Sequence, residues 1–283
     1  MPPDRKGQVI GKRFRIDALI GKGASADVWR AIDLTTSAYV ALKILRAEIS
    51  DPAGKQRFAR EGEVQARLRH RNIAAMLASG VTDRSEPFLV LELLRGDNLR
   101  GVVKKAGRIE PRRATSYAWQ ALQGLAAVHA AGVLHRDLKP ANIMLEPSPG
   151  PVERVVLIDF GFASMEGSSK LTQQGTVVGS LAYIAPERLR GEPIDQRSDL
   201  YAIGTILFEL LAGRAPFSGA NDMEIIEAQL NAAPPSLHAL DPKIPPIFDE
   251  LMEIALAKYQ DERFPDATAM AAALEQAARE LPP

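Results

Sequence analysis

The apolar pattern of this chain changes period once, near Arg95-Gly96-Asp97, so the fold must join a small β-rich part to a larger helical part. Ahead of that point Phe14 to Ile20, Ala26 to Ala31 and Tyr39 to Leu45 are short β-like runs separated by turn residues, which predicts an antiparallel sheet. Residues 52–68 carry helix formers with Phe58, Val64 and Leu68 on one face, and the runs Ala74 to Ser79 and Phe88 to Leu93 read as two further strands. Five strands and one helix are expected, after a polar lead-in over residues 1–13. Beyond the change, Pro111 suits a first helical position, Trp119, Leu122, Leu125 and Val128 recur at helical spacing, and Gly132 can end the helix. Ile143 to Leu145 and Val155 to Ile158 are short strands around the proline-rich turn Pro147 to Pro151. Ser198 to Ala212 is apolar nearly all round and closed by Gly213; Phe248 to Lys258 and Asp266 to Ala278 complete the helices. The expected class is α+β, with a first lobe over 14–94, a hinge at about 92–97, a second lobe over 98–278 and a tail at 279–283.

Lysine and arginine together number 35 and so do aspartate and glutamate, so net charge gives no sign of a nucleic-acid or anionic-membrane partner. There is no cysteine, which excludes disulfides, thiolate metal sites and a cysteine nucleophile. Met1 to Lys12 lacks the apolar stretch of a secretory signal, and the longest apolar run, Leu200 to Leu211, is interrupted by Gly204, Thr205 and Glu209 and is too short to span a bilayer. A cytoplasmic location is the expectation.

Four segments carry chemistry. Ile20-Gly21-Lys22-Gly23-Ala24-Ser25-Ala26-Asp27-Val28 joins two expected strands, and its glycines let backbone amides approach phosphate oxygens. A dinucleotide site would need a helix directly after the glycines, whereas Val28, Trp29 and Ala31 continue a strand; a plain hairpin turn remains an alternative for this segment alone. Val40-Ala41-Leu42-Lys43 ends a strand with an ammonium that could meet phosphates, although a lysine there is more often a solvated face residue. Glu61 is its natural partner on the following helix, at a spacing before His70 seen in enzymes that clamp a lysine in this way; Glu63 is turned about 200° away. His135-Arg136-Asp137-Leu138-Lys139-Pro140-Ala141-Asn142 is the strongest element: Asp137 can accept a hydroxyl proton, Lys139 can neutralise a moving phosphoryl group and Asn142 can hold a divalent cation. Asp159-Phe160-Gly161 follows a hydrophobic strand, whose end suits a hard oxygen ligand for Mg²⁺.

In this order the four elements resemble the eukaryotic-type, or Hanks-type, protein kinases in the form bacteria carry as Ser/Thr kinases, over roughly Phe14 to Ala278. The resemblance implies a two-lobed kinase-like fold with ATP in the cleft, Lys43 on its α- and β-phosphates and held by Glu61, Asn142 and Asp159 on Mg²⁺ (or Mn²⁺), and Asp137 orienting the acceptor hydroxyl. It also implies Leu91 at the back of the adenine pocket, the backbone of Glu92 and Leu94 bonded to adenine, and Val28, Ala41 and Met144 against the ring. Glu187 of Ala185-Pro186-Glu187 is expected to pair with Arg263, and Asp199 to steady the backbone around His135 to Asp137. Lys139 in its motif marks the Ser/Thr class. The implied partners are proteins carrying Ser or Thr, the chain itself among them, with no nucleic acid and no membrane span.

Several positions depart from the family pattern. Ala26 replaces the third glycine of the phosphate loop, Ser180 a threonine whose hydroxyl would bridge Asp137 and Lys139, and Arg71 a proline after His70. Gly62 weakens the helix bearing Glu61, and Gln65 stands where family members often place an apolar residue. A loosely docked helix, tightened by Gln65→Leu with Gly62→Ala, is therefore expected. Arg136 suits a phosphorylated loop residue, Thr172 first and Thr176 second, with a purely structural arginine as the alternative. His70, His129, His135 and His238 form no metal-ligand spacing, and Trp29 and Trp119 read as packing residues. A pseudokinase would lack one of Lys43, Glu61, Asp137, Asn142 and Asp159; a small-molecule phosphotransferase is not expected to combine the glycine-rich hairpin, Lys139 and Ala185-Pro186-Glu187.

Overall fold

Period-two alternation decides the architecture of the first part of the chain. In the computed structural model, which describes residues 5–23, 25–46, 51–150, 152–160 and 181–282, the chain divides into two compact units, Met1–Arg95 and Gly96–Pro283. The first holds an antiparallel six-stranded sheet of β1 (Val9–Ile10), β2 (Phe14–Lys22), β3 (Ala26–Asp33), β4 (Tyr39–Leu45), β5 (Met76–Val81) and β6 (Pro87–Glu92), in the order β1-β2-β3-β4-β6-β5. Val40, Leu42 and Ile44 of β4 pack with Phe14, Trp29 and Phe88 on one face. The intervening residues Ala41, Lys43 and Leu45 belong to the other face, where Leu45 packs with Ala26, Leu89 and Phe58 of α1 (Pro52–Arg67).

Helix α1 starts where its cap dictates: the Asp51 side chain accepts the Gly54 N–H at 2.5 Å and Pro52 takes the first position. The fifth expected strand is joined by a sixth, because the segment expected to be a polar lead-in contains β1. Ile10 is buried among Phe14 and Phe88, and Val9 and Ile10 pair with Arg15 and Phe14. Two residues are too few to show alternation, so no strand signal is legible there.

In the second unit β7 (Asp97–Asn98), β8 (Ile143–Glu146) and β9 (Arg154–Leu157) form a small antiparallel sheet, and the helices are α2 (Leu99–Ala106), α3 (Pro111–Ala130), α4 (Pro186–Arg190), α5 (Gln196–Ala212), α6 (Asp222–Asn231), α7 (Leu237–Leu240), α8 (Ile247–Ala255) and α9 (Ala267–Arg279). Helix α5 buries almost every residue from Ser198 to Leu211, as its apolar sequence requires, and packs with α3, α8 and α9. It is capped by Asp195, and Gly213 ends it in the left-handed conformation (φ +75°). Among the described residues no helix is long and apolar enough to cross a membrane.

Candidate active site

Strand register assembles the candidate groups of the first unit. Val28 lies opposite Lys43 on β3 and β4, and Ala41 and Lys43 lie opposite Leu91 and Leu89 on β6. Partners directly opposite share a face, so Val28, Ala41 and Leu91 lie on the face that carries Lys43. Glu61, one helical turn beyond Phe58, reaches the same face: Lys43 Nζ donates to Glu61 Oε1 at 2.6 Å, with the two side chains 10% and 9% exposed. Glu63 is exposed, in agreement with its rotation around α1.

The glycine-rich segment is a hairpin in which Gly21 faces Val28, Lys22 faces Asp27 and the Gly23 N–H donates to the Ala26 carbonyl at 2.9 Å. The Ala26 methyl group is buried with Leu45, Phe58 and Leu89. Asp27 does not face solvent alone. Its Oδ1 accepts Arg46 Nη2 at 2.8 Å and Nε at 3.0 Å, and the Arg46 N–H donates to the Ser25 carbonyl at 2.9 Å. Ile20 is exposed at the start of the hairpin. Glu92 exchanges bonds with Ala75, its N–H donating to the Ala75 carbonyl and its carboxylate accepting the Ala75 N–H, and Leu94 follows β6.

Helix α1 packs closely at the two residues that depart from the family pattern. A methyl group on Gly62 would meet Leu89 Cδ2 at 2.6 Å, so glycine is what allows α1 to approach β6. Gln65 is buried and its Nε2 donates to the Ala74 carbonyl at 3.3 Å, a polar contact an apolar side chain could not make.

In the second unit the catalytic-type loop is organised from below by α5. Asp199 Oδ2 accepts the His135 N–H at 2.8 Å and Oδ1 accepts the Arg136 N–H at 2.9 Å, while His129 Nε2 lies 2.9 Å from Oδ2. Burial pushes the Asp199 carboxyl up, but the bonds from His129 and from the Arg136 amide outweigh it and hold the group below its ordinary value. Arg136 is left-handed (φ +66°). His135 is fully buried with its ring 4.8 Å from that of Phe160, and burial drives its pKa down despite Asp199, Asp137 and Asp159, so the ring is neutral packing material.

Asp137 is held from two sides. Lys139 Nζ donates to its two carboxylate oxygens at 2.9 and 2.8 Å, and Asn142 Nδ2 donates to Oδ2 at 2.8 Å and to the Asp137 carbonyl at 2.7 Å. These bonds use the amide nitrogen of Asn142, which leaves its amide oxygen as the atom of the right chemistry for a hard cation. The β8–β9 ladder pairs Ile143 with Leu157, and the Ile158 N–H donates to the Asn142 carbonyl at 3.0 Å, so Asn142 and Asp159 leave the small sheet side by side. Asp159 also has a positive φ, +54°. Two oxygen donors are too few to hold Mg²⁺ alone, and fit an ion that takes its remaining ligands from phosphate and water; among the described residues no cluster of three or more His, Cys, Asp or Glu could hold a metal. Met144 follows on β8.

Glu187 and Arg263 pair as expected, at 2.8 and 2.9 Å, and Ser198 Oγ adds a bond to Glu187 Oε1 at 2.5 Å. Arg188 was not singled out from sequence: its Nη1 donates to the Arg136 carbonyl at 2.5 Å across 52 residues of chain, a contact that no local pattern announces. Ala24, Gly161, Thr172, Thr176 and Ser180 lie outside the described residues.

The pattern of the protein kinase domain matches residues 14–274. A probable serine/threonine-protein kinase PknB of Corynebacterium glutamicum is 37% identical over 281 residues, covering 96% of this chain and 43% of the relative, and the serine/threonine-protein kinase PknL of Mycobacterium bovis is 36% identical over 274 residues, covering 96% and 67%. The crystal structure of the Mycobacterium tuberculosis PknI kinase domain superposes with a TM-score of 0.73 at 25% identity, over 96% of this chain and 98% of that one. The chain thus spans less than half of the corynebacterial relative.

Proposed function

This chain belongs to the protein kinase family, in the branch of the bacterial serine/threonine kinases, and from that membership we propose that it transfers the γ-phosphoryl group of ATP to Ser or Thr hydroxyls of protein substrates. The observation that carries the proposal is the state of Asp137, a carboxylate next to a left-handed residue, gripped by Lys139 and Asn142. A carboxylate so fixed can align an acceptor hydroxyl and take its proton, and an ammonium 2.8 Å from it can offset charge on the transferred group.

The remaining roles follow from residue chemistry. Lys43, with its ammonium oriented by Glu61, binds the α- and β-phosphates as a point charge. The hairpin from Ile20 through Gly21, Lys22, Gly23, Ala24, Ser25, Ala26 and Asp27 to Val28 covers the phosphates with backbone amides. Val28, Ala41, Leu91 and Met144 supply apolar surface for adenine, and the backbone of Glu92 and Leu94 its hydrogen bonds. Mg²⁺, or Mn²⁺ in its place, is assigned to Asn142 and Asp159 and neutralises phosphate charge when bound. The structural frame consists of Asp199 beneath the loop and the Glu187–Arg263 pair beside it.

Control is assigned to Arg136, with autophosphorylation of Thr172 or Thr176 supplying the anion it binds and Ser180 bridging Asp137 and Lys139. Mass spectrometry after incubation with Mg-ATP tests this, and absence of phosphate from both threonines would exclude it. The transfer itself is tested with γ-labelled ATP, offering the chain itself and a generic basic protein as acceptors, with Asp137→Asn as control. Label on small molecules only would point to a different phosphotransferase.

A further inference from the structure

We propose that Arg188 is a positioning residue for Asp137, acting through the carbonyl of Arg136; this rests on the kinase function proposed above. A left-handed non-glycine residue such as Arg136 (φ +66°) is strained and persists only where its surroundings hold both flanking peptides. The peptide on the N-terminal side of Arg136 is held by Asp199, which takes the His135 and Arg136 N–H groups. The peptide on the C-terminal side, the one whose nitrogen belongs to Asp137, is held by Arg188: Nη1 donates to the Arg136 carbonyl at 2.5 Å. Between them an anion and a cation fix the strained residue from opposite ends, and the cation fixes the very peptide from which the Asp137 side chain departs.

The origin of that cation matters. Arg188 sits on α4 directly after Glu187, whose carboxylate is pinned by Arg263 and Ser198, so the backbone that presents Arg188 is anchored in the core of the second unit. Arg188 lines a small cavity with Asp137, Lys139, Tyr183, Ile184 and Asp195. Burial works against its charge, and the carboxylates of Asp137 and Asp199 offset that cost in part. A guanidinium is suited to this place because it stays charged when buried and donates in a fixed plane. Helix α4 thereby sets the orientation of Asp137, and a disturbance of α4 is felt as a displaced carboxylate.

The test compares Arg188→Met, Arg188→Gln and Arg188→Lys with the parent chain. Phosphate transfer is measured at varied ATP and acceptor, thermal unfolding is followed, and hydrogen exchange of peptides spanning residues 134–140 is recorded without nucleotide. The expected result for Arg188→Met is a fall in kcat of about tenfold or more with KM for ATP within about twofold, faster exchange in 134–140, and partial recovery of kcat by Arg188→Lys. A folded Arg188→Met chain with kcat within about twofold of the parent would overturn the proposal, as would loss of the fold in all three variants, because the role would then be structural. If Arg188→Met alone fails to fold, Arg188→Gln is judged by the same limits. An inactive parent would instead refute the kinase function, and unchanged exchange in 134–140 would still refute the positioning role.

Discussion

Arg263 and Glu187 form a two-bond ion pair that solvent does not reach, at 2.8 and 2.9 Å with side-chain exposures of 0% and 2%. Removing one member of such a pair leaves the other charge buried and unmatched, which typically costs about 3–5 kcal/mol. Arg263→Met is therefore expected to destabilise the chain by about that amount in urea unfolding at neutral pH. Burial raises the Glu187 carboxyl, but the bonds and charge of Arg263 and the Ser198 hydroxyl outweigh it and hold it below the ordinary 4.5. A carboxyl depressed on folding stabilises fully above about 4.5 and loses that contribution as pH falls towards its folded value. The gap between parent and Arg263→Met should accordingly narrow below that pH; a gap that stays constant would contradict the assignment.

Gly62 and Gln65 each make a specific contact on α1. Alanine at 62 gains about 1 kcal/mol of helix propensity but forces Leu89 aside, and overpacking of this kind costs about 1–3 kcal/mol. Leucine at 65 strands the Ala74 carbonyl, at about 1–3 kcal/mol. Both single variants should unfold at lower urea than the parent, and a more stable Gly62→Ala chain would show that β6 yields more easily than its packing indicates.

Lys43 and Glu61 are coupled in the same way as the pair in the other unit. Lys43→Met should lose stability as well as transfer, because Glu61 is left buried without its cation. Adding Glu61→Gln should restore much of the stability and none of the transfer, which separates the structural share of the pair from its role in chemistry. Recovery of activity in the double variant would contradict the role given to Lys43.

Asp27 and Arg46 tie the glycine-rich hairpin to the strand that carries Lys43, with exposures of 12% and 31%. A partly exposed pair of this kind is worth about 0.5–1 kcal/mol, or about two- to fivefold in binding. Asp27→Asn and Arg46→Gln should each raise KM for ATP by about that factor, leave kcat within about twofold, and combine without further loss. Additive effects would show that the two act separately.

Most of the elements visible in the sequence were those long enough to repeat a period. Strands β2 to β4 and the helices α1, α3, α5 and α9 announced themselves by spacing and caps, whereas β1 has two residues and no period to show. Helix α2 was not expected although its signals are present, an Asn98 cap that accepts the Gly101 N–H and Gly107 at φ +75°, because eight residues make little more than two turns and show little period. Glu61 was separable from Glu63 because rotation along a helix is local geometry. Arg188 and Arg46 were not legible: each finds its partner across strands or across 19 and 52 residues, a distance set by tertiary packing and not by any local pattern.

The most direct test is transfer of label from γ-labelled ATP with Mg²⁺ by the parent and by Asp137→Asn. The substitution keeps the shape of the side chain and removes the charge that Lys139 and Asn142 hold. The parent should label itself or a Ser/Thr-bearing basic protein, and the variant should do so at least about a hundredfold more slowly at an unfolding midpoint close to that of the parent. Equal transfer by a folded Asp137→Asn chain would contradict the assignment of Asp137 as the carboxylate that directs the hydroxyl.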